Sequence, residues 1–226
     1  MRDSVRNFLA VRRILRSMKK VTVTSAILFL AGLTAGSASC AESFEATLGR
    51  ETELPGGKEA DGIRGDFVLR SDKVEAVISC NAPNRRANMS TFYGPDGISP
   101  GCLYDLTLRG ANNDQLVVFG PGPFGHGPVS YVREVASKDG AAVESVKTAA
   151  SNGGIFKRTE YRVRDGFSGV FITTILRNET DQPQKLSTKS DLARFNVTGE
   201  IEGGIQWMDA INPSHRCGYA MGVIKF

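Results

Sequence analysis

After residue 41 no stretch of the chain keeps apolar side chains at i, i+3, i+4 and i+7 for three turns, so a helix of ordinary length has no face to bury. What recurs instead is a short run rich in Val, Ile, Thr, Tyr and Phe, closed by Gly, Asp, Asn or Pro. Phe67-Val68-Leu69 and Val74–Ile78 flank Arg70-Ser71-Asp72-Lys73 as the arms of a hairpin do. Tyr131–Val135 and residues 142–146 flank Lys138-Asp139-Gly140, and residues 159–163 and 170–176 flank Arg164-Asp165-Gly166. Asp-Gly supplies the positive φ angles that a tight hairpin turn requires. Residues 159–163 alternate, which suits a half-solvated strand, and residues 170–176 are apolar on both faces, which suits a central buried one. Strand runs spaced by roughly 8 to 12 residues, with no βαβ alternation, predict an all-β fold, an antiparallel β-sandwich or barrel, of which the sandwich is the expectation carried forward.

The N-terminal segment reads differently. Lys19-Lys20 leads into an apolar run from Val21 to Leu33 and then into Ala35-Gly36-Ser37-Ala38-Ser39-Cys40-Ala41. Charge, apolar run and small residues, in that order, mark a secretory signal peptide. The run is shorter than the roughly 20 apolar residues of a membrane span. We expect 1–41 to be that signal, with 1–17 a start-site artefact ahead of Met18, and 42–226 to be a single domain. Cleavage after Ala41 leaves Glu42 first. The competing reading makes Cys40 the lipid-modified first residue of a lipoprotein. Either way the product is secreted, periplasmic or held at the cell envelope, with no transmembrane anchor after processing.

This division changes the meaning of the charge. Of 28 Lys and Arg and 24 Asp and Glu, seven basic residues and one acidic residue fall within 1–41, so the remainder has 21 against 23, a net charge of −2. No basic stripe exists, and nucleic acid is excluded as a partner class. Cys80, Cys102 and Cys217 remain after the cut at Ala41, an odd number for an oxidising compartment. A disulfide between Cys80 and Cys102 is one reading, and three reduced thiols packed as small hydrophobes is the other.

Candidate chemistry is sparse. The chain has two histidines, His126 and His215, and no HxH, HExxH or CxxC, so no metal site and no cofactor is expected. His215-Arg216-Cys217 lacks the strained elbow of a nucleophile, and no catalytic residue is assigned. The Gly/Pro-rich segment 120–128 has three prolines and no following Lys, so it reads as a rigid surface loop with His126 as a contact residue. Residues 85–94 join two guanidinium forks, Arg85 and Arg86, to Asn88 and Tyr93, a set able to clamp a carboxylate or a sugar. The alternative is an ordered loop whose arginines cap carbonyls and pair with Asp96 or Asp105. Trp207, between Gln206 and Asp209, is either a stacking platform for a sugar ring or a core anchor.

Two family resemblances follow from particular residues. Tyr161 through Leu186, a strand, Asp165-Gly166, an apolar strand and Leu176-Arg177-Asn178-Glu179-Thr180-Asp181-Gln182-Pro183, resembles part of a galactose-mutarotase-like supersandwich. The acid/base residues of true mutarotases have no counterpart here, so only the fold is implied. Gly65-Asp66-Phe67-Val68-Leu69-Arg70-Ser71-Asp72-Lys73-Val74 through Leu103-Tyr104-Asp105-Leu106 is similar to the β-rich N-terminal region of secreted bacterial proteins that end in a PHP-type metallohydrolase. That resemblance implies metal-binding histidines beyond Phe226, and the apolar run 218–226 then reads as a frame cut inside a larger protein.

The functional expectation is an exported, non-catalytic β-sandwich module that recognises carbohydrate or another polar ligand at the envelope through Arg85, Arg86, Asn88, Tyr93, Trp207 and His126. Its rival is the N-terminal fragment of a secreted metal-dependent hydrolase, or a carbohydrate-active enzyme.

Overall fold

The computed structural model describes residues 21–28, 41–87, 98–122, 127–185, 192–195, 197–202, 205–210 and 218–223. They form an antiparallel all-β sandwich. One sheet has eight strands in the order β12-β13-β14-β1-β10-β9-β8-β7: β1 is Val21–Leu28, β7 Tyr131–Val135, β8 Ala141–Lys147, β9 Ile155–Val163, β10 Gly169–Asn178, β12 Val197–Glu202, β13 Ile205–Ala210 and β14 Gly218–Val223. The other has six in the order β11-β6-β5-β4-β3-β2: β2 is Glu42–Glu45, β3 Phe67–Arg70, β4 Val74–Ile78, β5 Leu103–Leu108, β6 Leu116–Gly120 and β11 Leu192–Phe195. Short 3₁₀ turns at Glu51–Glu53 and Ala149–Ser151 are the helical elements among the described residues.

The three hairpins legible in the sequence form β3–β4, β7–β8 and β9–β10. Gly140 and Gly166 take φ of +146° and +76°, the conformation their turns require. A Cβ on Gly140 would stand 1.9 Å from the Val163 carbonyl oxygen, so only glycine closes that turn. The turns of β3–β4 and β9–β10 brace each other: Asp72 N–H donates to Asp165 Oδ1 at 2.9 Å, and Gly166 N–H donates to Asp72 Oδ1 at 2.7 Å.

Between the sheets, Leu69, Ile78, Leu103, Leu106, Leu116 and Phe119 meet Val143, Tyr161, Val163, Val170 and Ile172. Full burial of such side chains stabilises the fold by about 1.5 to 3 kcal/mol each. Leu103 and Leu106 share the inner face although they are three positions apart. The β4–β5 register steps from Val77↔Asp105 to Ile78↔Leu103, so Tyr104 is the extra residue of a β-bulge. The bulge places Tyr104 with Ala87, Cys102, Val117 and Val118 in a second cluster, while Phe44, Val68 and Val77 form a third. The six-stranded sheet is thus covered on both faces.

Two expectations meet the structure here. Cys80 and Cys102, one reading of which was a disulfide, are free thiols. The reason is register: Ser79 N–H donates to the Cys102 carbonyl at 2.9 Å, so Ser79 is the residue opposite Cys102, and Cys80 turns toward Gly65 and Asp66. Within the segment assigned to a signal peptide, the β-branched run Val21–Leu28 forms β1, paired with β10 from Val21↔Leu176 to Leu28↔Gly169 and with β14 on its other side. Residues 170–176 are central as expected, but one face is buried at Val170, Ile172, Thr174 and Leu176 and the other is half-buried.

Candidate ligand-binding end of the sandwich

The inward-facing row of the larger sheet changes character along its length. β9 alternates strictly, with Ile155, Lys157, Thr159, Tyr161 and Val163 buried. In β8 the corresponding row is Ala141, Val143, Ser145 and Lys147. At the hairpin end this row is apolar; at the opposite end it becomes Ser145, Lys147, Lys157 and Thr159, with Thr174 of β10 beside Thr159. Lys147 and Lys157 are paired in register and are 8% and 5% exposed. Lysine reaches this level of burial rarely, because desolvation opposes its charge. The polar end opens into a narrow cleft with room for roughly one water molecule, bordered by Gly101, Cys102, Pro121 and Val129 as well as by these side chains.

The end segments of two loops border the cleft, with Pro100, Pro121 and Val129 among the residues that line it. Lys157 Nζ donates to the Pro121 carbonyl and anchors the start of the Gly/Pro-rich segment. At its other end Gly127 lies over Lys147, where a Cβ would come within 3.9 Å of Nζ. Gly127 N–H donates to the Ile98 carbonyl at 2.6 Å, which ties this loop to the one between β4 and β5. The latter is closed at its base by Ser99 N–H donating to the Arg85 carbonyl at 3.0 Å. Gly101 then passes so close to β8 that a Cβ would lie 2.1 Å from Ser145 Oγ, and its φ is +69°. Tyr161 Oη donates to the Gly101 carbonyl at 3.0 Å and fixes the passage from below.

The electrostatics follow from burial. Desolvation draws the Lys147 ammonium below the ordinary lysine range, and the nearby Cys102 thiol works in the opposite sense. Desolvation pushes the Cys102 thiol up to about 11 despite the neighbouring lysines, so it is no ready nucleophile at neutral pH.

Arg85 faces inward. Its Nη2 donates to Asp66 Oδ2 at 2.7 Å and to the Asp61 carbonyl at 2.5 Å, its Nη1 donates to the Arg86 carbonyl at 2.6 Å, and its guanidinium lies 4.5 Å from the Tyr104 ring centre. Asp66 in turn accepts Cys80 N–H at 2.7 Å and Ile63 N–H at 2.9 Å. Burial works against the Arg85 charge, and Asp66 outweighs it, holding the guanidinium above its ordinary value. Beside this pair Asp105 accepts Asp61 N–H at 2.8 Å and Gly62 N–H at 3.0 Å. Desolvation pushes its carboxyl up to about 7, against those two hydrogen bonds and with help from Asp61 and Asp66. The arrangement makes Arg85 a brace of the loop on which Arg86 sits, half-buried.

Of the other residues singled out in the sequence, Asn88, Tyr93, His126, His215, Cys40 and Cys217 lie outside the described residues. Ile98 and Gly127, the described residues at the ends of the two loops, are joined by a hydrogen bond. Trp207 is not part of that grouping. It stands on β13 opposite Glu200 and Ala220, five strand positions from β8 in the sheet order, or about 24 Å at the usual spacing. Lys147 and Lys157 escaped the sequence reading, although their period-2 phase with Val143 and Tyr161 places both in the core.

No family model, no curated protein and no solved structure matches this chain. Among the described residues no group of three or more His, Cys, Asp or Glu is placed to hold a metal ion, and no helix is long and apolar enough to cross a membrane.

Proposed function

We propose that this protein is an exported, non-catalytic β-sandwich module that recognises a carbohydrate or similar polar ligand with the end of the sandwich where residues 85–102 and 120–130 meet. One observation carries the reading. The Ile98–Gly127 hydrogen bond joins the described ends of two loops beside an inward-facing row that carries Ser145, Lys147, Lys157 and Thr159; in sequence Arg86, Asn88 and Tyr93 belong to the first loop and His126 to the second. Ligand sites commonly combine a rigid scaffold with loops at one end and a few convergent polar groups. Export is supported by the order of charge, apolar run and small residues in 1–41. Because Val21–Leu28 is also β1, export by this route leaves the processed sheet without that strand, with β10 and β14 on either side of the gap.

A glycan array probed with the purified protein tests the ligand class. Saturable binding that falls at least ten-fold in Arg86→Ala and is unchanged in Trp207→Ala supports the reading. An array without saturable binding, or binding lost only in Trp207→Ala, overturns it. N-terminal sequencing of the product released by the cell tests export: a start at Glu42, or a lipidated Cys40, is the expected result, and an intact Val21–Leu28 in the mature chain contradicts it.

A further inference from the structure

Residues 21–28 carry two roles. In the sequence they belong to the apolar run of an export signal, and in the structure they are β1, which lies inside the larger sheet and not at its edge. β1 runs antiparallel to β10 from Val21↔Leu176 to Leu28↔Gly169, and antiparallel to β14 from Ser25↔Val223 to Leu28↔Ala220. Removing 1–41 on export therefore takes a strand from between two others and leaves a slot about 10 Å wide, two strand spacings. The slot has no simple way to close. β10 and β14, each antiparallel to β1, are parallel to each other, so direct pairing needs β12–β14 to shift sideways by a whole strand. β12 begins at Val197, two positions after Phe195 ends β11, and β11 is held in the other sheet by β6 from Leu192↔Gly120 to Phe195↔Leu116.

We propose that the processed protein is a strand acceptor, whose slot between β10 and β14 takes an extended segment of another protein. A strand without its neighbour presents a row of unpaired N–H and C=O groups, and an added peptide draws affinity from that backbone and specificity from its alternate side chains. Along β10 the positions opposite Ile27, Ser25, Val23 and Val21 are Val170, Ile172, Thr174 and Leu176, all buried, and Val170 and Ile172 belong to the main core. β1 is the template for what fits: eight residues, antiparallel to β10, with β-branched residues opposite Leu176, Thr174 and Val170 and the small Ser25 and Ala26 opposite Ile172 and Phe171. A charged residue opposite Val170, Ile172 or Leu176 meets a buried apolar row, which excludes Asp, Glu, Lys and Arg at those positions. The inference rests on the reading above that 1–41 is removed on export, and it does not depend on which ligand the loops bind.

Calorimetric titration tests the acceptor, using the processed protein isolated from the cell, begun at Glu42 or lipidated Cys40, and a synthetic peptide of residues 19–28. Saturable one-to-one binding is expected. It should weaken at least ten-fold for the Val23→Asp peptide and less than about three-fold for Thr24→Asp, because Val23 lies opposite the buried Thr174 and Thr24 opposite the half-buried Thr173. The unprocessed chain, whose slot β1 fills, should bind the peptide at least ten-fold more weakly. Hydrogen exchange locates the site: protection gained at residues 169–176 and 220–223 supports the slot, and protection gained elsewhere overturns it. Absence of binding to a processed chain, or equal binding of a scrambled peptide, overturns the acceptor and leaves export standing. Residues 169–176 as protected before peptide is added as in the unprocessed chain mean that the chain itself or a second copy closes the slot, which also overturns the proposal. A released chain that retains Val21–Leu28 overturns the export reading and this inference with it. Should the processed protein not stay folded alone, refolding decides: recovery with the peptide and not with its scrambled form supports the proposal, and recovery with neither overturns it.

Discussion

Lys147 and Lys157 stand opposite each other across the β8–β9 ladder, both buried and both on the face that elsewhere holds the hydrophobic core. Two like charges so placed oppose each other and lose hydration, and a fold retains such an arrangement at the expense of stability.

The Arg85–Asp66 pair behaves in the opposite way. Asp66 is fully buried, and Arg85 supplies its cationic partner among the described residues, at 2.7 Å. Arg85→Ala leaves that carboxylate without its counter-charge, which costs about 3 to 5 kcal/mol. A double-mutant cycle with Asp66→Asn in denaturant melts should return a coupling well above the error of the single variants.

Asp105 sets a pH dependence. Its native carboxyl titrates near 7, above the usual Asp value of about 3.9 for an unfolded chain. Between those values the native state holds more protons than the unfolded state, so its contribution to stability is present at low pH and declines as pH rises toward and through 7. The steepest decline for one such group is about 1.4 kcal/mol per pH unit. Stability measured from pH 4 to 8 should therefore fall less in Asp105→Asn than in the wild type, whatever the baseline cost of the substitution.

Gly101 tests the geometry at the cleft. Gly101→Ala places a methyl group 2.1 Å from Ser145 Oγ at a φ of +69°, and we expect a loss of about 2 to 4 kcal/mol. Ser145→Ala in the same chain should recover part of it, because the clash with Oγ is relieved while the 2.8 Å approach to the Ser145 Cβ and the backbone strain are not. Thermal unfolding of the single and double variants checks both statements.

Free thiols at Cys80 and Cys102 predict equal masses for native protein with and without reductant, as far as this pair is concerned. Cys80 is half-buried and Cys102 is buried. Alkylation of the folded protein should label Cys80 first, with Cys102 reacting only as fast as the structure opens. A mass lower by one disulfide, mapped to these two residues, contradicts the register described here.

The all-β sandwich and its three hairpins were legible because alternation and Asp-Gly turns are local signals. Lys157 was legible in principle, since it continues the inward phase of Tyr161 and Val163, but a lysine is read as surface by default and its neighbours drew no attention. That Arg85 caps carbonyls was one of the two readings of its loop, but its partner Asp66 was not legible: it is 19 residues away, and the β3–β4 hairpin register, with Phe67 opposite Ile78, sets it near the segment that follows β4. Grouping Trp207 with the arginines failed for a similar reason, since sheet order, which the sequence does not display, separates β13 from β8. Pairing Cys80 with Cys102 followed from proximity in sequence, whereas a shift of one residue in register turns a side chain to the other face.

The most direct test of the account is hydrogen exchange followed by mass spectrometry on the protein with and without a saturating glycan ligand. The account predicts added protection confined to residues 98–102, 120–130 and 141–147. Protection centred on β12–β13, or none at ligand saturation, contradicts it.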